Sequence, residues 1–175
     1  VIIFGIIFNV LMEALIVAFS ISILRKYSGG AHANSPEVCA VIGTIIAIGE
    51  SLFICSIKNT INLKIYLPIV FIIFIWCLYI ICKLAPIDSE AKPIKTQTKR
   101  TRMKKGSIFV LGLYILAVIG NVIMYNKTST NMYLVISMCI CAGALWQAIT
   151  LTYIGHLIMD KMDAFLNQIF TFLLR

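Results

Sequence analysis

The chain has 175 residues, a net charge of +8, and 61% hydrophobic against only 13% charged residues, with a mean hydropathy of +0.98. A soluble domain carries about 45–50% apolar and about 25% charged residues, so this composition excludes a soluble enzyme, a disordered chain and a coiled coil. What is left is a small polytopic membrane protein.

A helix needs about 20 apolar residues to cross the hydrocarbon core. In chain order, the runs that qualify are Val1–Leu24, closed by Arg25-Lys26; Val38–Ile57, closed by Lys58-Asn59; and Ile65–Cys82, closed by Lys83. Ile108–Tyr125 and Tyr133–Ile154 follow. Each is continuously apolar rather than alternating, which predicts helices and not a membrane β-barrel. The predicted fold class is all-α: a polytopic transmembrane helical bundle with five visible spans, one domain over 1–175. No span is interrupted by a Gly/Pro pair, which speaks against a transporter with broken helices. From Leu157 the pattern changes. Ile158, Met162, Phe165, Leu166, Ile169, Phe170 and Leu173 recur at three- and four-residue steps, with Asp160, Lys161, Asp163, Asn167 and Gln168 on the other face. This predicts an amphipathic helix at 157–175, lying in the membrane interface or docking on a helix, or else a simple extension of the fifth span.

The segments between the spans differ in charge. Segment 25–37 holds two basic residues, and segment 83–107 holds eight: Lys83, Lys92, Lys95, Lys99, Arg100, Arg102, Lys104 and Lys105. The alternate loops hold Lys58, Lys64 and Lys127. The positive-inside rule then places 25–39, 83–107 and the C-terminus in the cytoplasm of a multi-pass membrane protein.

The six cysteines do not form a disulfide framework. Cys55, Cys77, Cys82, Cys139 and Cys141 lie in or beside apolar runs, where cysteine behaves as a small hydrophobe. Cys39 differs. It follows the segment Arg25-Lys26-Tyr27-Ser28-Gly29-Gly30-Ala31-His32-Ala33-Asn34-Ser35-Pro36-Glu37-Val38. Gly29-Gly30 lets the backbone turn sharply and approach another group closely. Ser35-Pro36 reads as an N-cap with proline at the first helical position. Cys39 then lies in the first helical turn, where free N–H groups and the helix dipole favour a thiolate. His32 is suited to take and return its proton. Glu37, Ser35 or Asn34 are alternatives for orienting the imidazole, and Glu37 alternatively serves the helix dipole. Glu13 and Glu50 are carboxylates inside spans, where charge is expensive. Glu50 shares the face of Cys39 about 16 Å deeper, placed to contact substrate or hydrate a cleft. Cys82 is the rival nucleophile, without a local histidine or helix start. His156 sits near the end of the fifth span. No paired CxxC spacing supports zinc, so no metal and no cofactor are predicted.

Two motifs carry a resemblance. Ser28-Gly29-Gly30-Ala31-His32-Ala33 is followed at a fixed interval by Cys39, and Leu84-Ala85-Pro86 is followed by Lys92-Pro93-Ile94 and a dense basic run to Lys105. With their order and the hydropathy profile, they make the chain resemble the accessory gene regulator B (AgrB) family, membrane-embedded cysteine endopeptidases of peptide quorum sensing. The resemblance implies a substrate, the AgrD-like precursor peptide, with an acidic C-terminal tail. It implies that Cys39 is the nucleophile and His32 the general base. Tail release would leave a thioester on Cys39, which a nucleophile in the peptide core resolves into a thiolactone or lactone. Segment 83–107, with a charge of +6, would attract the acidic tail through Lys92, Lys95, Lys99, Arg100 and Arg102, or serve only to set topology. A homodimer is expected by the same resemblance, with Gly112, Gly120 and Gly143 able to permit close helix contact. So is a further N-terminal segment before Val1. The partners are thus the precursor peptide, membrane lipids and a second copy, with no nucleic acid. The competing reading is a non-enzymatic peptide or lipid transporter, in which Glu13 and Glu50 matter and Cys39 does not.

Overall fold

The computed structural model describes the chain except residues 32, 34, 59, 61, 89–95, 174 and 175, and only the backbone of 170–173. His32, Asn34, Lys92 and Lys95 therefore lie outside the described residues. The helices in order are α1 (Ile2–Ile7), α2 (Leu11–Ser28), α3 (Pro36–Ile57), α4 (Leu63–Leu84), α5 (Gln97–Thr128), α6 (Met132–Ile149) and α7 (Tyr153–Leu173). Among the described residues the only β pairing is a single parallel bridge between Gly29 and Ile87. Helices α3, α4, α5 and α6 are long and apolar enough to cross a membrane. Phe71, Ile72, Phe109 and Leu116 stand outward on α4 and α5, an arrangement suited to lipid rather than water. The protein is a membrane helical bundle.

Three predicted boundaries are corrected. The run 1–24 is not one helix. Asn9 takes a left-handed backbone, φ 54°, which asparagine tolerates better than most residues. Its N–H bonds Ile6 O at 3.1 Å and the Val10 N–H bonds Gly5 O at 2.9 Å, a Schellman closure that ends α1 before α2 starts. The basic segment 83–107 is not all loop. From Gln97 it is helix, because Gln, Lys, Arg and Met are good helix formers and no proline intervenes. Lys99, Arg100 and Arg102 thus stand exposed on the first turns of α5.

The third correction concerns the tail. It starts as a separate helix at Tyr153, after a break at 150–152. Gly155 lies so close to the end of α6 that a Cβ there would come 2.0 Å from Ile149 O. The predicted apolar stripe of α7 is divided between two sides of the helix. Met159 and Asp163 are buried, whereas Phe165 and Ile169 are exposed. One apolar set docks on the bundle, through Met159, Met162 and Leu166. The other, Ile154, Leu157, Phe165 and Ile169, is left facing outward, where a membrane interface suits it.

Helix α2 occupies the centre. Ala14, Val17, Ile21, Leu24 and Ser28 are buried at three- and four-residue spacing, and α2 packs most extensively on α6. Gly143 makes that contact possible: a Cβ there would fall 2.7 Å from Ser20 Cβ and 2.9 Å from Val17 O. Of the three glycines considered for contact between copies, Gly143 is therefore used inside the chain, while Gly112 and Gly120 have nothing within 4 Å. Tyr114 of α5 ties in by donating to Ser20 O at 2.7 Å.

Candidate functional site

At one end of the bundle, the turn after α2 is held by three elements at once. Gly29 closes α2 with φ 67° and ψ −149°. Gln147, fully buried on α6, donates from Nε2 to Gly29 O at 2.7 Å and to Ser28 Oγ at 3.0 Å. The Ile87 N–H donates to Ser28 O at 3.0 Å, and the Ala31 N–H donates to Thr150 O at 3.1 Å. Both glycines are required by geometry. A Cβ on Gly29 would fall 2.1 Å from Ile87 O, and one on Gly30, at φ +131°, would fall 2.8 Å from Thr150 Oγ1. The run Leu84-Ala85-Pro86 thus has a structural use: it delivers Ile87 to the Gly29 backbone, and Ala85 and Pro86 are buried there.

Eight residues further along than Ala31, Cys39 sits at the start of α3, half-buried and unbridged. Ser35 caps the helix, its Oγ accepting from the Val38 N–H at 3.2 Å, with Pro36 at the first helical position. The Cys39 N–H itself is bonded to Ser35 O at 3.0 Å. The expectation of free N–H groups beside the sulfur is thereby corrected: Cys39 is one residue too deep, and the nearest donors are used by the cap. The dipole remains, and a full cation stands beside it. Arg25, one turn before the end of α2 and beyond its apolar stretch, brings its guanidinium within hydrogen-bonding reach of the Cys39 thiol. Its Nη2 donates to Ala31 O. Burial pushes the Arg25 pKa below the ordinary guanidinium value, and the charge of Cys39 opposes that shift.

The α7 helix closes over this segment. Ala31, Val38, Ile42 and Met159 form a buried cluster joined by Ala33, Trp146, Met162 and Leu166. The neighbours of position 32 and of Cys39 are thus covered by α7, with Asp163 buried on the same face. Removing the cap loosens this arrangement modestly. Ser35→Ala is expected to lower stability by about 1 kcal/mol, read as a lowered Tm in lipid nanodiscs, with Cys39 alkylation monitoring the helix start.

The other residues considered fall elsewhere. Glu37 is exposed on the first turn of α3, as a dipole-stabilising acid would be. Glu50 is three turns deeper, and its Oε2 is buried without a hydrogen-bond partner. It belongs with Glu13, Cys55 and Cys139: Glu13 lies within interaction range of Cys55, and both acids lie within interaction range of Cys139. Cys82 is exposed at the end of α4, and Lys104 donates to its carbonyl. His156 donates from Nδ1 to Thr152 O at 2.8 Å, which commits one ring nitrogen to its own helix. Arg100 reaches Pro86 O at 3.4 Å, so the basic start of α5 lies at the same end of the bundle as Cys39. Sequence reasoning missed Arg25 and Gln147. The only signal for Gln147 was an amide inside an apolar span; Arg25 was hidden by the simpler explanation that a cation closes a span.

Chemically, the site is an accessible thiol beside a cation at a helix start, on a segment fixed by two glycines and one amide. A family model described as Accessory gene regulator B matches residues 1–151. A protein of Clostridium perfringens (strain SM101 / Type A), named AgrB-like, is 41% identical over 168 residues, covering 95% of this chain and 78% of that protein. A second AgrB-like protein, from Clostridium perfringens (strain 13 / Type A), is 40% identical over 170 residues, covering 97% of this chain and 79% of that protein. No solved structure matches the chain.

Proposed function

The chain belongs to the accessory gene regulator B family, which places it in the processing of agr quorum-sensing peptide in a membrane, and from that premise we propose that it is a cysteine endopeptidase and peptide cyclase. The observation that carries this reading is the setting of Cys39: a half-buried thiol on a capped helix start, beside a guanidinium and against a clamped turn.

In this reading His32 takes the thiol proton and the Cys39 sulfur attacks the carbonyl carbon at the core–tail junction of an AgrD-like precursor. The C–N bond breaks, and the departing amine takes the proton from His32. The product on the enzyme is a thioester. A thiol in the peptide core then attacks that carbonyl, its proton passing to His32, and Cys39 leaves. The result is a thiolactone, or a lactone where the core nucleophile is a hydroxyl. One thioester replaces another, so the thiol route needs no energy source. Water must be kept from the intermediate, and the cover of Met159, Met162 and Leu166 over the segment supports that. The site faces the cytoplasm, where the precursor is made. A homodimer fits the same reading, with the open faces of Gly112 and Gly120 available for it.

The decisive experiment is to incubate the purified protein, in vesicles, with a candidate precursor and to trap the acyl-enzyme. The expected result is an adduct with the mass of the peptide lacking its tail, on Cys39 alone. An adduct on Cys82, or tail release with no adduct on any cysteine, overturns the mechanism.

The basic start of α5 gives a further prediction. Lys99, Arg100 and Arg102 crowd a helix N-terminus that has no acidic residue in its first turn, so cation charge and dipole add. Reversing them to glutamate is expected to raise KM for an acidic-tailed precursor by about tenfold, or about 1.4 kcal/mol, with kcat little changed. A steep fall of wild-type kcat/KM with salt supports the same assignment; unchanged KM returns the cluster to a topogenic role.

A further inference from the structure

We propose that Arg25 is a component of the thiol site: its guanidinium holds negative charge on the Cys39 sulfur when the thiol gives up its proton and when it leaves as thiolate. The inference rests on the reading of Cys39 as the nucleophile, and it names a catalytic group that the charge pattern alone explains away.

Arg25 and Lys26 both close the first apolar run, and a topogenic cation needs only to be there. Lys26 behaves as one: it is exposed, over the Tyr27 ring at 5.8 Å. Arg25 does not. It turns inward and is half-buried, with its Nε buried and without a hydrogen-bond partner. Burying a cation is costly unless another group compensates. Among the described residues, the groups that meet this one are the Ala31 carbonyl and the Cys39 thiol, and not a carboxylate. A guanidinium set beside a thiol is matched to the charged state of that thiol rather than to its resting state.

The placement also spans the segment that carries the chemistry. The guanidinium donates to Ala31 O, next to position 32, and interacts with the Cys39 thiol. The Cys39 N–H and the Val38 N–H are already engaged in the cap, on Ser35 O and Ser35 Oγ, so these two backbone donors are not offered to the sulfur. The guanidinium remains protonated throughout. The thiol proton goes to His32, the sulfur becomes anionic beside Arg25, and the same charge favours the sulfur as leaving group when the peptide's own nucleophile displaces it. Lysine is a poor substitute, because a point charge cannot serve the carbonyl and the sulfur as a planar fork does.

The test needs no substrate. The full chain in vesicles is alkylated in parallel with iodoacetate, an anion, and iodoacetamide, its neutral counterpart, and the rate at Cys39 is read by peptide mass spectrometry. Exposed Cys82 serves as the internal standard. In Arg25→Gln, alkylation of Cys39 by iodoacetamide is expected to fall about tenfold. The ratio of iodoacetate to iodoacetamide rates is expected to fall a further ~threefold, because the local cation that attracts the anionic reagent is gone. Arg25→Lys keeps the ratio and loses part of the rate, and Lys26→Gln changes neither. A role limited to pinning Ala31 moves both reagents equally, so an unchanged ratio in Arg25→Gln overturns the proposal. If Cys39→Ala still releases a precursor tail, the protease reading fails instead, and the reagent ratio reports on Arg25 independently of it.

Discussion

Replacing Cys39 with alanine is expected to abolish release of the precursor's acidic tail, a loss of at least about a thousandfold. His32→Ala is expected to lose the same order, because nucleophile and base act as a unit and removing either removes the step. The controls are what give the result its meaning. Cys82→Ala removes the most exposed cysteine, and Cys55→Ser one beside Glu13; both should retain wild-type tail release. Glu50→Gln should also retain it, since about three turns of helix, roughly 16 Å, separate it from Cys39. The transporter reading makes the opposite forecast, with Glu50→Gln and changes at Glu13 disabling and Cys39→Ala silent. Peptide mass spectrometry on vesicle-reconstituted protein separates the two. Full tail release by Cys39→Ala would sink the protease mechanism.

Gly29→Ala is expected to be nearly as damaging, for a reason remote from bond chemistry. Its φ of 67° with ψ −149° falls in a region open essentially only to glycine, which costs another residue about 1–3 kcal/mol. The added Cβ would also lie 2.1 Å from Ile87 O, so the 28–31 turn or the 85–87 segment must move. The Gln147 amide cannot follow without giving up its bonds to Gly29 O and Ser28 Oγ, and each buried group left unpaired costs about 1–3 kcal/mol. We expect Tm to fall by several degrees and tail release to fall by about a hundredfold, since a misplacement of about 1 Å costs that much in an oriented reaction. Gln147→Leu, of similar bulk but unable to hydrogen-bond, should reproduce most of the loss with both glycines intact. If Gly29→Ala lowers neither Tm nor activity, the turn is more compliant than its contacts indicate.

The membrane architecture was legible in the sequence because crossing hydrocarbon is a property of local composition. Runs of about 20 apolar residues have to be helices whatever surrounds them, and α3, α4 and α6 start or end within a few residues of the predicted runs. The Ser35-Pro36 helix start was equally local: a cap and a proline announce themselves without reference to the rest of the fold. Boundaries set by competition were less legible. The charge run before Ile108 reads as loop by polarity, yet helix propensity carries α5 back to Gln97. The turn at Asn9 rests on one residue's tolerance of a left-handed backbone within an otherwise unbroken apolar run.

What the sequence determined by itself was a helical membrane bundle, the side on which its positive charge gathers, and the pairing of His32 with Cys39 as candidates at one helix start. Those follow from hydropathy, charge count and spacing, each readable over a few residues. Only the tertiary structure decided what surrounds the sulfur. Arg25 comes from α2, Gln147 and Thr150 from the end of α6, Ile87 from the segment after α4, and Met159 from α7. Their separations along the chain run from fourteen to well over a hundred residues, and nothing in a local pattern encodes which of two adjacent cations turns inward. That choice is made by packing, which buries a charge where a thiol and a carbonyl are placed to meet it.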